Sequence, residues 1–116
     1  MFILNCRIKN ETIKKREYLL FDVSEELMNF RAFLNQLSEE NISAIILSDR
    51  MSKQTTILKK GIKDTFSDGK LVCSVDTMRV IINMIDDCLA DKAFPGYHFD
   101  YETNNKVDVT FLLRGE

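Results

Sequence analysis

The carboxyl-terminal part of the sequence alternates apolar and polar residues in two short runs. Tyr97, Phe99 and Tyr101 alternate with polar or charged residues, and the run 107–113 has an apolar residue at every second position. Because successive side chains of a strand point to opposite faces, each run predicts an amphipathic strand. A one-residue slip would turn a whole face over, so the apolar faces of the two strands match in a single register.

The matched faces fix the pairing of a predicted hairpin. On the apolar face the register gives three pairs: Tyr101 with Val109, Phe99 with Phe111, and Tyr97 with Leu113. On the polar face it gives three more: Glu102 with Asp108, Asp100 with Thr110, and His98 with Leu112. This register requires a three-residue loop of Asn104, Asn105 and Lys106, and asparagine tolerates the left-handed conformation that such loops use.

Two segments have the apolar spacing of amphipathic helices. The first begins at Ser24, a predicted N-cap, and ends near Asn41, with a single apolar stripe of Leu27, Phe30, Leu34 and Leu37. The second begins at Ser74 or Asp76 and is closed by Pro95-Gly96, because proline cannot continue a helix. Its predicted apolar positions are Val75, Met78, Ile81, Ile82, Ile85, Cys88 and Leu89.

Short apolar runs elsewhere in the chain predict further strands. Residues 2–8 and 18–23 form a predicted opening hairpin, joined by the polar stretch 9–17. The run 42–47 is rich in β-branched residues and predicts a strand in the interior of a sheet. After the turn signal Ser-Asp-Gly, residues 70–74 supply another strand.

The segment 52–66 is compatible with two structures. Leu58, Ile62 and Phe66 fit one face of a helix, whereas the neighbouring threonines and Gly61 favour the extended structure that we predict. Residues 1–116 as a whole therefore predict one α+β domain in the order β-β-α-β-(β)-β-α-β-β. We expect a mainly antiparallel sheet of about six to seven strands with both amphipathic helices packed on it.

The composition excludes several classes of protein. The 116 residues are 45% hydrophobic and 29% charged, as in globular proteins, and no apolar run is long enough to span a bilayer. A net charge of −2 does not supply the broad cationic surface that nucleic-acid binding requires. The short apolar start lacks the pattern of a signal peptide, so we expect a cytoplasmic protein with reduced, buried cysteines at positions 6, 73 and 88.

His98 is the only histidine, so any catalytic dyad or histidine-based metal site would have to include it. In the predicted hairpin it shares a face with Asp100 and Glu102, and Asp108 lies across from Glu102. The same alternation is typical of a half-solvated strand, and the phosphate-loop, dinucleotide and hydrolase motifs are absent. We therefore predict no catalytic, cofactor-binding or metal-binding residues, with a metal-dependent enzyme built on His98 as a remaining alternative.

Carboxylates concentrate near the end of the second helix and on the polar face of the hairpin. They are Asp86, Asp87 and Asp91 in the first group and Asp100, Glu102 and Asp108 in the second. If the two groups adjoin, they form an acidic patch that steers a basic partner towards it. These six residues and His98 are the predicted partner-binding residues.

From Asp68 onward the order is strand, helix, the stretch Gly96-Tyr97-His98-Phe99-Asp100 and a closing apolar strand, 107–113. This order resembles that of small immunity proteins of bacterial polymorphic-toxin and contact-dependent growth inhibition systems, over less than half of the chain. The resemblance implies a non-enzymatic cytosolic inhibitor that binds a cognate toxin domain, often a nuclease, and blocks its active site. An acidic protein would suit a basic nuclease.

A second interpretation comes from the residues alone. A small homo-oligomeric regulatory or assembly module could pair through an edge strand or through an apolar helix face. The sequence leaves both a monomer and a homodimer open. Neither interpretation needs a cofactor, a membrane or direct contact with nucleic acid.

Overall fold

The computed structural model of the chain describes residues 2–90 and 97–114. These residues form eight strands and two α-helices, and a 3-10 turn (Ser24–Glu26) precedes the first helix. In chain order the elements are β1 (Ile3–Ile13), β2 (Arg16–Asp22), α1 (Leu27–Ser38), β3 (Ile45–Asp49), β4 (Thr55–Lys60), β5 (Thr65–Ser67), β6 (Lys70–Cys73), α2 (Val75–Ala90), β7 (His98–Glu102) and β8 (Asp108–Leu112). The predicted α+β class is confirmed.

The strands make one sheet in the order β5-β6-β4-β3-β1-β2-β8-β7. Neighbours that follow each other along the chain pair as antiparallel hairpins, whereas β1 with β3, β2 with β8, and β4 with β6 are parallel. The sheet is therefore mixed, with four antiparallel and three parallel pairings among the described strands, so the expectation of a mainly antiparallel sheet is confirmed only in part. The parallel pairs join strands that do not follow each other along the chain, and the alternation within a single strand does not report such pairs.

The count of eight strands exceeds the expected six to seven because the segment 52–66 contains β4 and the start of β5, where one strand was expected. Gly61 lies directly after β4, where its N–H donates to the carbonyl of Cys73 at 2.9 Å. A Cβ at this position would lie 2.3 Å from the Cγ1 methyl group of Val72, so any larger residue here would displace the Val72 side chain. The preference for extended structure over a helix in this segment is confirmed.

The opening hairpin is confirmed, but its strands are longer than predicted. The polar stretch 9–17 is not a loop, because β1 and β2 pair as far as Ile13 with Arg16. The two residues left at the turn, Lys14 and Lys15, have φ angles of 51° and 68°. Both therefore adopt the left-handed backbone of a tight hairpin turn, a conformation that asparagine and glycine adopt more easily than lysine.

The register of the carboxyl-terminal hairpin is the one predicted, from His98 opposite Leu112 to Glu102 opposite Asp108. Thr103 donates its N–H to the carbonyl of Val107, which leaves the three predicted loop residues, 104–106, between them. The left-handed residue of this loop is Lys106, with φ 68°, and not an asparagine. Asn105 instead uses its side chain to contact another part of the sheet.

Helix α1 buries the predicted stripe of Leu27, Phe30, Leu34 and Leu37 and ends at Ser38. The prediction of Ser24 as its N-cap is wrong, because Ser24 donates both its N–H and its hydroxyl to a carboxylate oxygen of Asp22. Ser24 therefore begins the 3-10 turn, and α1 starts three residues later.

Helix α2 begins after Ser74, whose hydroxyl oxygen accepts the N–H of Thr77 at 3.2 Å. Ser74 rather than Asp76 is thus the cap. The buried face of α2 consists of Met78, Ile81, Ile85 and Cys88. Leu89 is 40% exposed, so its assignment to the apolar face is wrong. The predicted closure at Pro95-Gly96 lies outside the described residues.

All the strands and both helices contribute to one core. Three rings lie at its centre: Phe111 of β8 stacks on Phe21 of β2 at a centroid distance of 5.3 Å and on Phe30 of α1 at 5.4 Å. All three are fully buried. Since both helices bury their apolar faces in this core, they cover the inner face of the sheet, and no described helix covers the outer face.

The sheet curls until its two ends meet. Asn105, in the β7–β8 loop, accepts the N–H of Phe66 with its amide oxygen at 3.1 Å and donates its amide N–H to the carbonyl of Phe66 at 2.6 Å. The side chain thereby occupies the hydrogen-bonding groups of Phe66 in the edge strand β5 as a neighbouring strand would. Near this junction of the two sheet ends, the Tyr101 hydroxyl of β7 lies 3.4 Å from Sγ of Cys73 in β6.

We predict that the substitution K14N/K15G stabilises the fold by roughly 1 kcal/mol, because non-glycine residues other than asparagine are strained at positive φ. Chemical denaturation measures the change in the free energy of unfolding. A matched variant, K53N/K63N, removes the same charge at exposed positions without positive φ. An equal gain in that control would show that charge, and not turn geometry, is responsible.

We predict that Asn105→Ala lowers the free energy of unfolding by about 1–2 kcal/mol, since two partly buried hydrogen bonds to β5 are lost. Amide hydrogen exchange should accelerate at Phe66 and its neighbours more than at the centre of β1 and β2. Asn104→Ala is the control, because only the backbone N–H of Asn104 is engaged, with the carbonyl of Asp64. Unchanged exchange at Phe66 in Asn105→Ala would contradict the role assigned to this amide.

Candidate functional site

The predicted partner-binding residues fall into two separate groups in the structure. Asp86 and Asp87 lie on α2, in the helix layer that covers the inner face of the sheet. The other group lies on the polar face of the hairpin, which points to the outer side: His98, Asp100, Glu102 and Asp108. Asp91 lies outside the described residues. The sheet separates the two described groups, so they do not form the continuous patch that the sequence left open.

The hairpin carboxylates are held by an arginine that sequence reasoning missed. Nε of Arg16 donates to Oδ2 of Asp108, and Nη2 donates to Glu102 and, at 2.9 Å, to Oδ1 of Asp108. Arg16 is the first residue of β2, which lies beside β8. The sequence prediction placed it in a loop; extending the β1–β2 hairpin to its tight turn would have assigned it to the strand.

The guanidinium also changes the acidity of these groups. Its hydrogen bonds hold the pKa of Asp108 and of Glu102 below their usual values, and the two carboxylates raise the pKa of Arg16. Lys106, with Nζ 3.4 Å from Glu102, adds a second positive charge. Glu102 and Asp108 are therefore ionised, fixed in position and partly neutralised within the protein.

Asp100 is more available to a partner. One of its oxygens accepts the Thr110 hydroxyl at 2.5 Å, and the other lies 3.5 Å from Nε2 of His98. The side chains of Asp100 and His98 are 61% and 55% exposed. A carboxylate oriented by a neighbouring hydroxyl and open to solvent can accept a charged hydrogen bond from an incoming lysine or arginine.

These residues belong to a larger surface, which we name the acidic face. It consists of the outward-pointing residues of β2, β8 and β7: Arg16, Tyr18, Leu20, Asp22, Asp108, Thr110, Leu112, His98, Asp100 and Glu102. The acidic face carries four carboxylates and one arginine, and two of the carboxylates, Glu102 and Asp108, contact that arginine. Tyr18, 39% exposed, lies between two shallow depressions of about 270 and 370 Å³. The acidic face thus has a partly apolar centre and a charged surround.

Asp86 has a different environment. Arg31 of α1 donates to its two oxygens at 2.5 and 3.2 Å, which lowers the pKa of Asp86 and ties α1 to α2. Asp87 is exposed, with no ion pair among the described residues. The helix group therefore offers a partner one uncommitted carboxylate in the part of the chain that the structure describes.

No set of three or more His, Cys, Asp or Glu side chains within 2–90 and 97–114 is grouped so that it could hold a metal ion. His98 and Asp100 do adjoin, but Glu102 is directed to Arg16.

The cysteines are buried, as predicted. Burial raises the pKa of Cys6 to about 11 and that of Cys73 to about 12, which keeps these thiols protonated near neutral pH. Cys88 is also buried, with its pKa raised for the same reason. A protonated, buried thiol is a poor nucleophile, so the three residues serve as small core side chains.

No family model matches the sequence, and no curated protein matches it either. Neither described helix is both long enough and apolar enough to cross a membrane.

We predict that Arg16→Met raises the pKa of Asp108 and Glu102 towards their ordinary values, 3.8 and 4.5. In the wild type, a depressed pKa in the folded state contributes stability above those values, and this contribution is lost as the pH falls through the folded pKa. Arg16→Met should therefore lose stability at neutral pH and less of it in acid. Carboxyl NMR titration with pH-dependent denaturation measures both effects.

Arg79→Met serves as the control, because Arg79 is an exposed arginine on α2, away from the acidic face. The two carboxyl groups should titrate in this variant as they do in the wild type. If the pKa of Asp108 in Arg16→Met equals that in the wild type, the ion pair between Arg16 and Asp108 is refuted.

Proposed function

We propose that this chain is a non-enzymatic immunity protein of the bacterial cytosol that binds a basic toxin domain through the acidic face. The single observation that carries the proposal is the charge and composition of that face. It is an uncovered sheet surface with four carboxylates, one arginine and a partly exposed tyrosine. The resemblance of the chain from Asp68 onward to immunity proteins supplies the class of partner.

The charge of the face supports a basic partner in particular. On the β7–β8 side, Asp100, Glu102 and Asp108 outnumber Arg16 and Lys106, whereas Asp22 lies beside Arg7 of β1, so the excess of negative charge lies at the hairpin. Clustered charge of one sign accelerates the encounter with a partner of the opposite sign and disfavours wrong partners. A nuclease, whose substrate is an anionic polymer, has the complementary positive surface.

The rigidity of the face supports tight binding. Its residues lie on three adjacent strands, and Arg16 holds two of the carboxylates before any partner arrives. Side chains that are already fixed lose less conformational entropy on binding, so more of the interaction energy contributes to affinity. Tyr18 is the natural centre of such an interface, since partly buried tyrosines are frequent hot spots.

The inhibitory step itself needs no chemistry from this chain. An acidic surface that occupies the cationic groove of a nuclease excludes the phosphate backbone from it, because both compete for the same lysines and arginines. Asp100 is the residue best placed to pair with such a side chain, given its exposure and its orientation by Thr110.

The test is protection of bacteria that express the toxin domain encoded beside this gene. The wild-type chain should restore growth and bind the purified domain in a calorimeter. We expect D100K/E102K to weaken binding by roughly 100-fold or more, since it replaces attraction by repulsion at the interface. Tyr18→Ala should weaken binding by at least roughly tenfold through loss of a central aromatic contact.

The matched control is E39K/D87K. It changes the net charge by the same amount at two exposed carboxylates on the helix side of the molecule, away from the acidic face. Binding by this variant should stay near the wild-type level. An equal loss in both double variants would mean that net charge matters and the acidic face does not, and a lack of any complex with the neighbouring toxin would overturn the proposed function.

A further inference from the structure

The other half of the outer sheet face has the opposite character. The register aligns Ile3 of β1 with Ile46 of β3, and Ile46 with Ile57 of β4. All three side chains point away from the core, and Ile3 is 50% exposed. We name this surface the isoleucine face and include in it the neighbouring outward residues of β4 and β6: Lys59, Lys70 and Val72.

The isoleucine face is positively charged. The outward-pointing residues of β3, β4, β5 and β6 include two lysines and no carboxylate. Lys70 lies directly beside Ile57, and Lys59 lies beside Val72. Both lysines are exposed, and within the described residues neither makes an ion pair. The surface therefore combines a row of outward apolar side chains, of which Ile3 is exposed and Ile46 and Ile57 are half-buried, with two lysines that make no ion pair within the described residues.

The outward isoleucines of the three central strands β1, β3 and β4 are not part of the monomer's core. Isolated apolar side chains on a surface are ordinary, but contiguous ones mark a contact site. The lysines beside the row restrict the occupant, because a basic or strongly cationic surface would be repelled. The occupant must therefore be acidic with an apolar centre.

The chain itself has such a surface. We propose that the isoleucine face of one copy binds the acidic face of a second copy. The acidic face carries Asp100, Glu102 and Asp108 near Tyr18, Leu20 and Leu112, so it offers carboxylates to the lysines and apolar side chains to the isoleucines. Asp22, its fourth carboxylate, lies beside Arg7 of β1. Two sheet faces of this kind pack about 10 Å apart with their side chains in contact.

The arrangement is head-to-tail. Contact between two isoleucine faces would bring four lysines together, and contact between two acidic faces would bring together eight carboxylates, so charge disfavours both. In the strand order the isoleucine face lies on β6, β4, β3 and β1, and the acidic face lies on β2, β8 and β7. Each copy therefore keeps one free face after the first contact, and association continues into a ring or a chain of copies.

Self-association would use the same acidic face as the proposed toxin binding, but it requires no toxin. Self-association is measured on the purified chain without a toxin, so each can fail while the other holds. If the chain both self-associates and binds a toxin, a toxin domain and a second copy compete for the same carboxylates. Protein without toxin is then an oligomer, and the toxin dissociates it.

Sedimentation velocity of the purified chain tests the proposal. We expect the wild type to form species larger than a monomer as its concentration rises at about 0.05 M salt, and to dissociate at about 0.5 M salt, where screening shortens the range of charge interactions. K59E/K70E and D100K/E102K should each weaken association by at least roughly tenfold, because each places like charges against each other.

Mixing the two variants is the decisive step. The glutamates of K59E/K70E then face the lysines of D100K/E102K, and association should return in the mixture although neither variant associates alone. K53E/K63E is the matched control, since both lysines are exposed but lie outside the strands of the isoleucine face, and it should associate as the wild type does. Circular dichroism checks that every variant is folded.

Three results would overturn the proposal. The first is a wild type that stays monomeric at low salt up to the highest attainable concentration. The second is association of K59E/K70E that equals that of the wild type. The third is a mixture of the two variants that stays monomeric, which would exclude contact between the two named faces.

Discussion

The stack of Phe21, Phe111 and Phe30 is the contact on which the rest of the molecule depends. It joins β2, β8 and α1, which come from both ends of the chain, around fully buried rings. Because Phe111 points inward, every second residue of β8 points outward, and the register with β7 and β2 then assigns the remaining residues to one face or the other. The composition of the outer surface thus follows from the burial of one aromatic side chain.

The predictable parts of the fold are the strands and helices that bury one face in the core and expose the other to solvent. The β7–β8 hairpin is such a case, and its pairing from His98 to Glu102 was predicted residue by residue. The end of the β1–β2 hairpin could not be predicted in this way, because beyond Ile8 the side chains of β1 are exposed on both faces and do not alternate between apolar and polar. The parallel pairs could not be predicted either, since each joins strands that are not consecutive along the chain, and the pattern within a strand does not identify its neighbour.

The candidate site was predicted in part for the same reason. The outward position of His98, Asp100, Glu102 and Asp108 followed from alternation, whereas the separation of these residues from Asp86 and Asp87 required the layer order of the fold. Arg16 could not be paired with Asp108 from the sequence because the two are 92 residues apart. The contribution of β2 to the acidic face, and with it Tyr18, became visible only through its parallel pairing with β8.

The pairing of β2 with β8 has a kinetic consequence. Contacts between residues so far apart in sequence form late and slowly, since closing a long loop is costly before the contact repays it. During synthesis on the ribosome, β2 emerges with one edge unpaired and stays so until β8 is made. The acidic face, which is assembled from β2, β7 and β8, is therefore absent from an incomplete chain. A nascent molecule cannot engage a partner through this surface before its folding is finished.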